Sequence, residues 1–328
     1  MTRLHIPQTW REAARAILED RLQTILILGA ADRGKSTFCG YLARELVGAG
    51  HRVALVDADI GQKDIGPPAA ITMGYTDGDA ALRAITPAAY YFVGSTSPVG
   101  RMLPLVVGTA HLARAADAPF VIVDTTGYID GGGRILKGYK IEAVQPNLIV
   151  GIARKRELEP VLKPYSAFRT ARIKPSRKAH PKDSWDRYLV RKRAFARYFA
   201  NAGRLEVDLD SLAFQRSLLF TGEPVAIEGA LYAERMADGI VAVAESAPAE
   251  TETVKTLRPD FARNLLCGLA DEHNECLGLA VLEDFDFERR TVALHSPVPA
   301  GKIRILQFGD LYIDLEGREL GRVGREGI

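Results

Sequence analysis

The sequence predicts an α/β fold: a mostly parallel sheet with helices on both faces, followed by a smaller mainly-β domain. Three observations predict it. Apolar runs of strand length alternate with helical stretches from Leu22 to about Leu162. The first run feeds a glycine-rich turn, Gly29-Ala30-Ala31-Asp32-Arg33-Gly34-Lys35-Ser36-Thr37, that opens into a helix. After Arg204 the texture changes to short apolar runs broken by turn residues. Continuous apolar strands separated by helices belong to sheets covered on both sides, and the glycine-rich turn makes the fold of the P-loop NTPase type.

The elements follow in order. Thr9-Trp10-Arg11-Glu12 reads as a capping box for an N-terminal amphipathic helix within residues 1–21, with Trp10, Ala13, Ala14, Ile17 and Leu18 on one face. Strands are expected at 24–28, 52–56, 89–93, 119–123 and 147–152, and helices at 35–47, 103–115, 135–143 and 156–162. A basic region, 163–204, ends in a helix over about 183–201 and completes a nucleotide-binding domain of residues 22–204. Residues 205–328 read as the β domain, with strands at 277–282, 291–296, 302–308 and 311–315.

Composition narrows the class. The chain has 328 residues, 47% of them apolar, which is ample for a packed core. Cys39, Cys267 and Cys276 are scattered, with no CxxC pair, as suits reduced thiols better than a disulfide frame or a zinc site. No apolar run is long enough to span a bilayer and no secretory h-region is present, so a cytoplasmic protein without a membrane partner is expected. The net charge is only +2, yet residues 163–204 carry thirteen Lys and Arg against Asp183 and Asp186. A basic block in an otherwise acidic chain suits a polyanion as partner; a solvated loop would account for part of it equally well.

The residues that carry chemistry lie just past strands, where ligands of such sheets bind. Gly29 to Thr37 match G-x-x-x-x-G-K-[ST], a loop whose backbone N–H groups and helix start surround a nucleotide's phosphates. In that arrangement Lys35 reaches the β- and γ-phosphates and Ser36 sits on Mg²⁺. Asp57 and Asp59 end the second strand. Two residues apart, they point the same way in a strand and can share the work of holding Mg²⁺ or accepting a proton. Asp124 ends a third strand, where a second acidic group orients Mg²⁺. Tyr128 beyond it offers a π-face on which a base would gain roughly 1–3 kcal/mol, although an aromatic in that position more often packs. In the late helix, Arg193 and Arg197 share a face away from Tyr188, Phe195 and Phe199, while Arg187 and Arg191 flank that apolar stripe. Arginines on such a helix can close over a triphosphate.

Together these pieces resemble the polynucleotide 5′-hydroxyl kinase family, which includes a subunit of the pre-messenger-RNA cleavage machinery and a ribosomal-RNA processing kinase. The resemblance covers roughly residues 5–200. It runs through the phosphate loop, then Asp57-Ala58-Asp59-Ile60-Gly61-Gln62 (the family's D-x-D-x-G-Q), Gly94-Ser95-Thr96-Ser97-Pro98, Thr125-Thr126-Gly127-Tyr128 (its T-x-G-W clasp) and a lid helix closing on Tyr198-Phe199. It implies transfer of the γ-phosphoryl group of ATP, with Mg²⁺, to the 5′-hydroxyl end of RNA or DNA. Asp59 would activate the hydroxyl, Lys35 would neutralise the phosphates, Ser36 or Thr37 with Asp59 and Asp124 would hold the metal, and Arg193 and Arg197 would cover the transferred group. Gln62, Thr125, Gly127, Tyr128 and Arg191 would face the nucleic acid, with Tyr128 in place of the clasp tryptophan. The loop departs from the family's usual Gly-Pro start, having Ala30 and Ala31. A compact stand-alone enzyme without an obligate protein complex is expected. Two other functions use the same loop: a scaffold that holds ATP without turning it over, and a nucleotide-hydrolysing switch.

Overall fold

The computed structural model describes residues 5–78, 81–237, 239–247 and 254–323. The first few residues of the expected N-terminal segment and the last few of the β domain lie outside them. The chain divides into two compact units, Met1–Ala194 and Phe195–Ile328.

The first unit runs α1 (Gln8–Glu19), β1 (Thr24–Gly29), α2 (Lys35–Gly48), β2 (Val53–Ala58), β3 (Ala70–Thr76), β4 (Pro87–Phe92), α3 (Met102–Ala115), β5 (Phe120–Thr125), α4 (Gly132–Val144), β6 (Leu148–Ile152), α5 (Glu159–Leu162), β7 (Thr170–Ile173) and most of α6 (Ser184–Phe199). Its strands lie in the order β4-β3-β2-β5-β1-β6-β7. β1 pairs in parallel with both β5 and β6, β2 with β5, and β6 with β7. The β2–β3–β4 end is antiparallel.

Residues of β1, β2, β5 and β6 alternate between two cores, which is why these strands are apolar along most of their length, up to the polar groups at the carboxyl ends of β2 and β5. Leu26, Leu28, Val56, Val123 and Ile149 face α3 and α4 residues such as Leu105, Leu112 and Leu136. Ile25, Ile27, Leu55, Ile122 and Val150 face α1 and α2 through Trp10, Ile17, Phe38 and Leu42. Both faces of the sheet are therefore covered, as expected. β3 and β7 are additions to the predicted set. Pro67-Pro68 just before β3 and Gly74 inside it disguise it as a loop, but Gly74 is where Ile85 packs: a Cβ there would lie 2.5 Å from Ile85 Cγ2. The expected helix over 156–162 shrinks to the single turn α5.

α1 keeps its predicted apolar face but not its predicted cap. Pro7 precedes the helix and no side chain caps it. Thr9 lies inside the first turn, and its hydroxyl accepts from Lys174 N at 3.2 Å. Trp10 is fully buried, meets Phe38 edge-on with ring centroids 5.2 Å apart, and donates from Nε1 to Lys174 O at 2.8 Å. Burial of its large ring contributes upward of about 2 kcal/mol, so α1 is a structural brace beneath the helix that follows the phosphate loop.

The second unit begins with the last turn of α6 and continues as β8 (Gly203–Asp208), β9 (Ala213–Gln215), β10 (Glu223–Pro224), β11 (Tyr232–Met236), β12 (Gly239–Val243), β13 (Val254–Leu257), β14 (Leu265–Ala270), β15 (Cys276–Asp286), β16 (Thr291–Ser296), β17 (Ile305–Ile313) and β18 (Glu319–Arg322). It is mainly β, as expected. β14 pairs antiparallel with β15 and β17, and β16 with β15 and β8. The two short strands expected at 302–308 and 311–315 form one strand, β17, because a register shift opposite Leu265–Cys267 absorbs Gly309-Asp310 without a turn. Leu265, Cys267, Leu282, Leu294 and Phe308 fill the core. All three cysteines are free thiols.

Candidate active site

The site is built at the carboxyl ends of β1, β2 and β5. Gly29 ends β1, and a Cβ on it would lie 2.9 Å from Ile152 O of the neighbouring strand. Ala30 and Ala31 carry the chain out of the sheet. Asp32 (φ +58°) and Gly34 (φ +81°) then take left-handed backbone that folds the loop back over the start of α2. Gly34 is the N-cap of α2 and has no side chain to block the helix's first N–H groups. Lys35, buried at that start, donates from Nζ to Ala30 O at 3.1 Å. Ser36 Oγ donates to Asp124 Oδ2 at 2.6 Å, whereas Thr37 is exposed. Arg33 pairs with Glu157 at 3.1 Å and Asp32 with Arg187 at 2.6 Å, so the loop is held from both sides.

Asp57 and Asp59 do not share a task. β2 ends at Ala58, so the pleat that would align the two carboxylates stops before Asp59. Asp57 is buried and fully engaged. It accepts from the amides of Asp59, Asp64 and Ile65 at 3.1, 2.9 and 3.0 Å and pairs with Lys63 at 3.3 Å. Burial raises its carboxyl against the pull of Lys63. Asp57 thus braces the loop that presents Asp59. Asp59 is half-buried; its Oδ1 accepts from Gly61 N and Gln62 N, both at 3.1 Å, and among the described residues no donor occupies Oδ2. Gly61 packs on the Gly94–Pro98 turn, where a Cβ would lie 2.9 Å from Thr96 O. Gln62 Nε2 donates to Gly61 O (2.8 Å) and to Arg187 O (3.3 Å), and its Oε1 is buried without a partner.

Burial raises Asp124, against the pull of Lys35, to about 7. This sits above the ordinary carboxylate value near 4. Between those two values the folded protein holds a proton that the unfolded chain has released, so the stability contribution of Asp124 falls as pH rises through that window. Asp124→Asn is expected to flatten the decline of melting temperature between about pH 4 and 7; an unchanged slope would contradict the assignment.

Three side chains expected to face nucleic acid differ in their surroundings. Thr125 is fully buried and its hydroxyl donates to Ile27 O at 2.8 Å. It ties β5 to β1, and the expectation of direct contact with nucleic acid fails for this side chain. Gly127 touches the phosphate loop: a Cβ there would lie 2.6 Å from both N and Cα of Ala31. Gly127→Ala is therefore expected to push the loop out of place at a cost of roughly 1–3 kcal/mol, seen as weaker nucleotide binding and a lower melting temperature. Binding equal to wild type would show that the loop yields freely. Tyr128 is half-buried against the α3/α4 core, its hydroxyl facing the glycines that open α4.

The lid helix α6 meets the loop through Arg187, which the sequence placed beside the apolar stripe rather than on the phosphates. Arg191 is half-buried, and Arg193 is exposed and makes no ion pair among the described residues. Arg197, also exposed, belongs to the second unit. Sequence reasoning missed three further groups: Lys63, Lys137 and Lys140, all buried. The signal was faint but present. Lys140 falls in phase with Leu136 and Val144, and Lys137 with Ile141, where an amphipathic helix would carry apolar residues.

Among the described residues no cluster of three or more metal-ligating side chains occurs. Ser36 and Asp124 instead offer hard oxygen donors in contact at the start of α2, with Asp59 at the adjacent strand end. That set suits an ion bound mainly through a substrate's phosphates rather than caged by protein.

A glycine loop capping a helix, a buried lysine at that helix start and carboxylates on the two neighbouring parallel strands define a P-loop nucleotide-binding protein. Within that class the chain matches the mRNA cleavage and polyadenylation factor CLP1 P-loop family over residues 29–201, and it belongs to that family. A polyribonucleotide 5′-hydroxyl-kinase of Pyrococcus furiosus is 32% identical, over 98% of this chain and 97% of that one. Another, from Methanocaldococcus jannaschii, is 31% identical over 98% and 96%. The Clp1 polyribonucleotide 5′-hydroxyl-kinase of Xenopus laevis is 25% identical over 85% and 68%. Among solved structures, a Clp1p–Pcf11p complex superposes with a TM-score of 0.64 at 13% identity, covering 94% of this chain and 80% of that one, a likeness of fold. Among the described residues no helix is long and apolar enough to cross a membrane.

Proposed function

We propose that this protein is an ATP-dependent polynucleotide kinase that transfers the γ-phosphoryl group to the 5′-hydroxyl end of a polyribonucleotide. One observation carries the reading. Lys35, the Ser36–Asp124 pair and an Asp59 carboxylate with an open oxygen stand at the ends of three adjacent strands, a phosphate cradle beside a base. Asp59 Oδ2 accepts the proton of the 5′-hydroxyl as its oxygen bonds to the γ-phosphorus. The bond from that phosphorus to the β–γ bridging oxygen breaks, and ADP leaves. Lys35 neutralises charge on the β- and γ-phosphates, and the N–H groups from Gly29 to Thr37 cradle them. Ser36 and Asp124, with Asp59, would hold Mg²⁺, which would neutralise phosphate charge when bound. Arg193, with Arg191 in reserve, covers the transferred group, while Arg187 holds the lid helix to the loop through Asp32. Gln62 orients the acceptor, and the exposed part of Tyr128 receives the terminal base.

The basic stretch 163–204 suits a strand held through its phosphates. The kinase acts in the cytoplasm without an obligate protein partner. Incubation with γ-labelled ATP and matched 5′-hydroxyl RNA and DNA oligonucleotides tests the reading. Label on the RNA is expected. Label released only as free phosphate would indicate a hydrolysing switch, and bound, uncleaved ATP a scaffold.

A further inference from the structure

Lys63 enters no step above, yet it sits at the root of the loop that carries Asp59. Its side chain is 0% exposed, so the ammonium reaches neither solvent nor a substrate and must act through its neighbours. The chain brings it back beneath its own loop. Nζ donates to Asp57 O at 2.5 Å and pairs with Asp57 Oδ1 at 3.3 Å. Lys63 therefore grips the penultimate residue of β2 by both backbone and side chain, just before the strand gives way to Asp59.

Hydrogen bonds join that grip to the candidate base. Asp57 Oδ1, the oxygen paired with Lys63, accepts from Asp59 N at 3.1 Å. Asp57 Oδ2 accepts from Asp64 N and Ile65 N at 2.9 and 3.0 Å. Residues 57–65 thus close into a ring pinned on one carboxylate, with Lys63 buried beneath it and Asp59 half-buried on its rim. Burying two charges is a poor way to gain stability, since an apolar pair of the same size does as well or better. What a paired and hydrogen-bonded charge does supply here is a single arrangement, because any other leaves an ion out of water without its partner.

We propose that Lys63 is a positioning residue for phosphoryl transfer: through Asp57 it fixes the backbone of Asp59 and so aims that carboxylate at the acceptor hydroxyl. The proposal rests on the kinase reading above. Its test is Lys63→Met, alone and combined with Asp59→Asn, compared with wild type for melting temperature, ATP affinity, and kcat and KM toward a 5′-hydroxyl oligoribonucleotide. Alone, the substitution is expected to lower kcat roughly 10–100-fold, as a displacement of about 1 Å at a reacting group does. ATP affinity and oligonucleotide KM should stay within about twofold of wild type. In the Asp59→Asn protein the same substitution should change kcat by less than about threefold, because a residue that acts only through that carboxylate has nothing left to aim. A merely structural lysine would lower both proteins alike. Wild-type kcat in a folded Lys63→Met protein, or an equal loss in both backgrounds, overturns the proposal and leaves the kinase reading standing. Absence of transfer by the wild-type protein overturns both. If Lys63→Met does not fold, because Asp57 is left as an unpaired buried charge, Lys63→Met with Asp57→Asn takes its place in both backgrounds and the same outcomes decide.

Discussion

Asp59→Asn is expected to lower kcat for transfer by on the order of 10²–10⁴-fold, the range for loss of a general base, with ATP affinity close to wild type. The geometry makes the substitution unusually clean. The amide oxygen of asparagine can still accept from Gly61 N and Gln62 N, as Asp59 Oδ1 does. Asp57 and Lys63 hold the loop independently of the change. What disappears is the carboxylate's negative charge, and with it the second oxygen's ability to take a proton and its share in holding Mg²⁺. Rapid-quench measurement of transfer, with ATP binding followed separately by calorimetry, reads the two effects apart. Near-normal turnover would reject Asp59 as the base, whatever else survived.

Lys35→Ala is expected to be at least as damaging, roughly 10²–10³-fold or more in kcat, and to weaken ATP binding as well. Among the described residues the Lys35 ammonium makes one hydrogen bond, to the Ala30 carbonyl of its own loop, so its removal breaks no long-range hydrogen bond, and circular dichroism and melting should show an intact fold. The two variants therefore separate two functions at one site. Loss of Lys35 affects both ATP binding and transfer, and loss of the Asp59 carboxylate affects transfer far more than ATP binding, since Ser36 and Asp124 remain to hold Mg²⁺. A lysine variant with transfer within tenfold of wild type would remove the phosphate loop from the mechanism.

The parts of this molecule legible in its sequence are those specified locally. The phosphate loop needs a strand, two glycines in fixed places and a helix start, all within a dozen residues, and each was where the pattern put it. Of the five predicted strands, β1, β2, β5 and β6 are legible because burial on both faces leaves few polar positions to confuse the reading. What stayed illegible depends on contacts far away in the chain. The period-2 rule paired Asp57 with Asp59 because nothing local says that β2 stops at Ala58. Helical phase put Arg193 and Arg197 on one face of α6, but it is Asp32, about 155 residues away, that draws Arg187 to the loop. Thr9 looked like a cap until Lys174 claimed its hydroxyl. The buried lysines were hidden by their residue type, since lysine on a helix ordinarily reads as surface; only their phase with Leu136, Ile141 and Val144 marked them. Thr125 sits in a motif of contact residues, yet its hydroxyl serves the sheet.

The most direct measurement follows the labelled phosphate to its destination. Wild-type protein is given γ-labelled ATP, Mg²⁺ and a 5′-hydroxyl oligoribonucleotide of known terminal base, and the RNA is then digested to single nucleotides. All transferred label is expected on the 5′ position of that terminal nucleotide, and the Asp59→Asn protein is expected to yield almost none. Label recovered only as inorganic phosphate, or an equal yield from the asparagine variant, would contradict it.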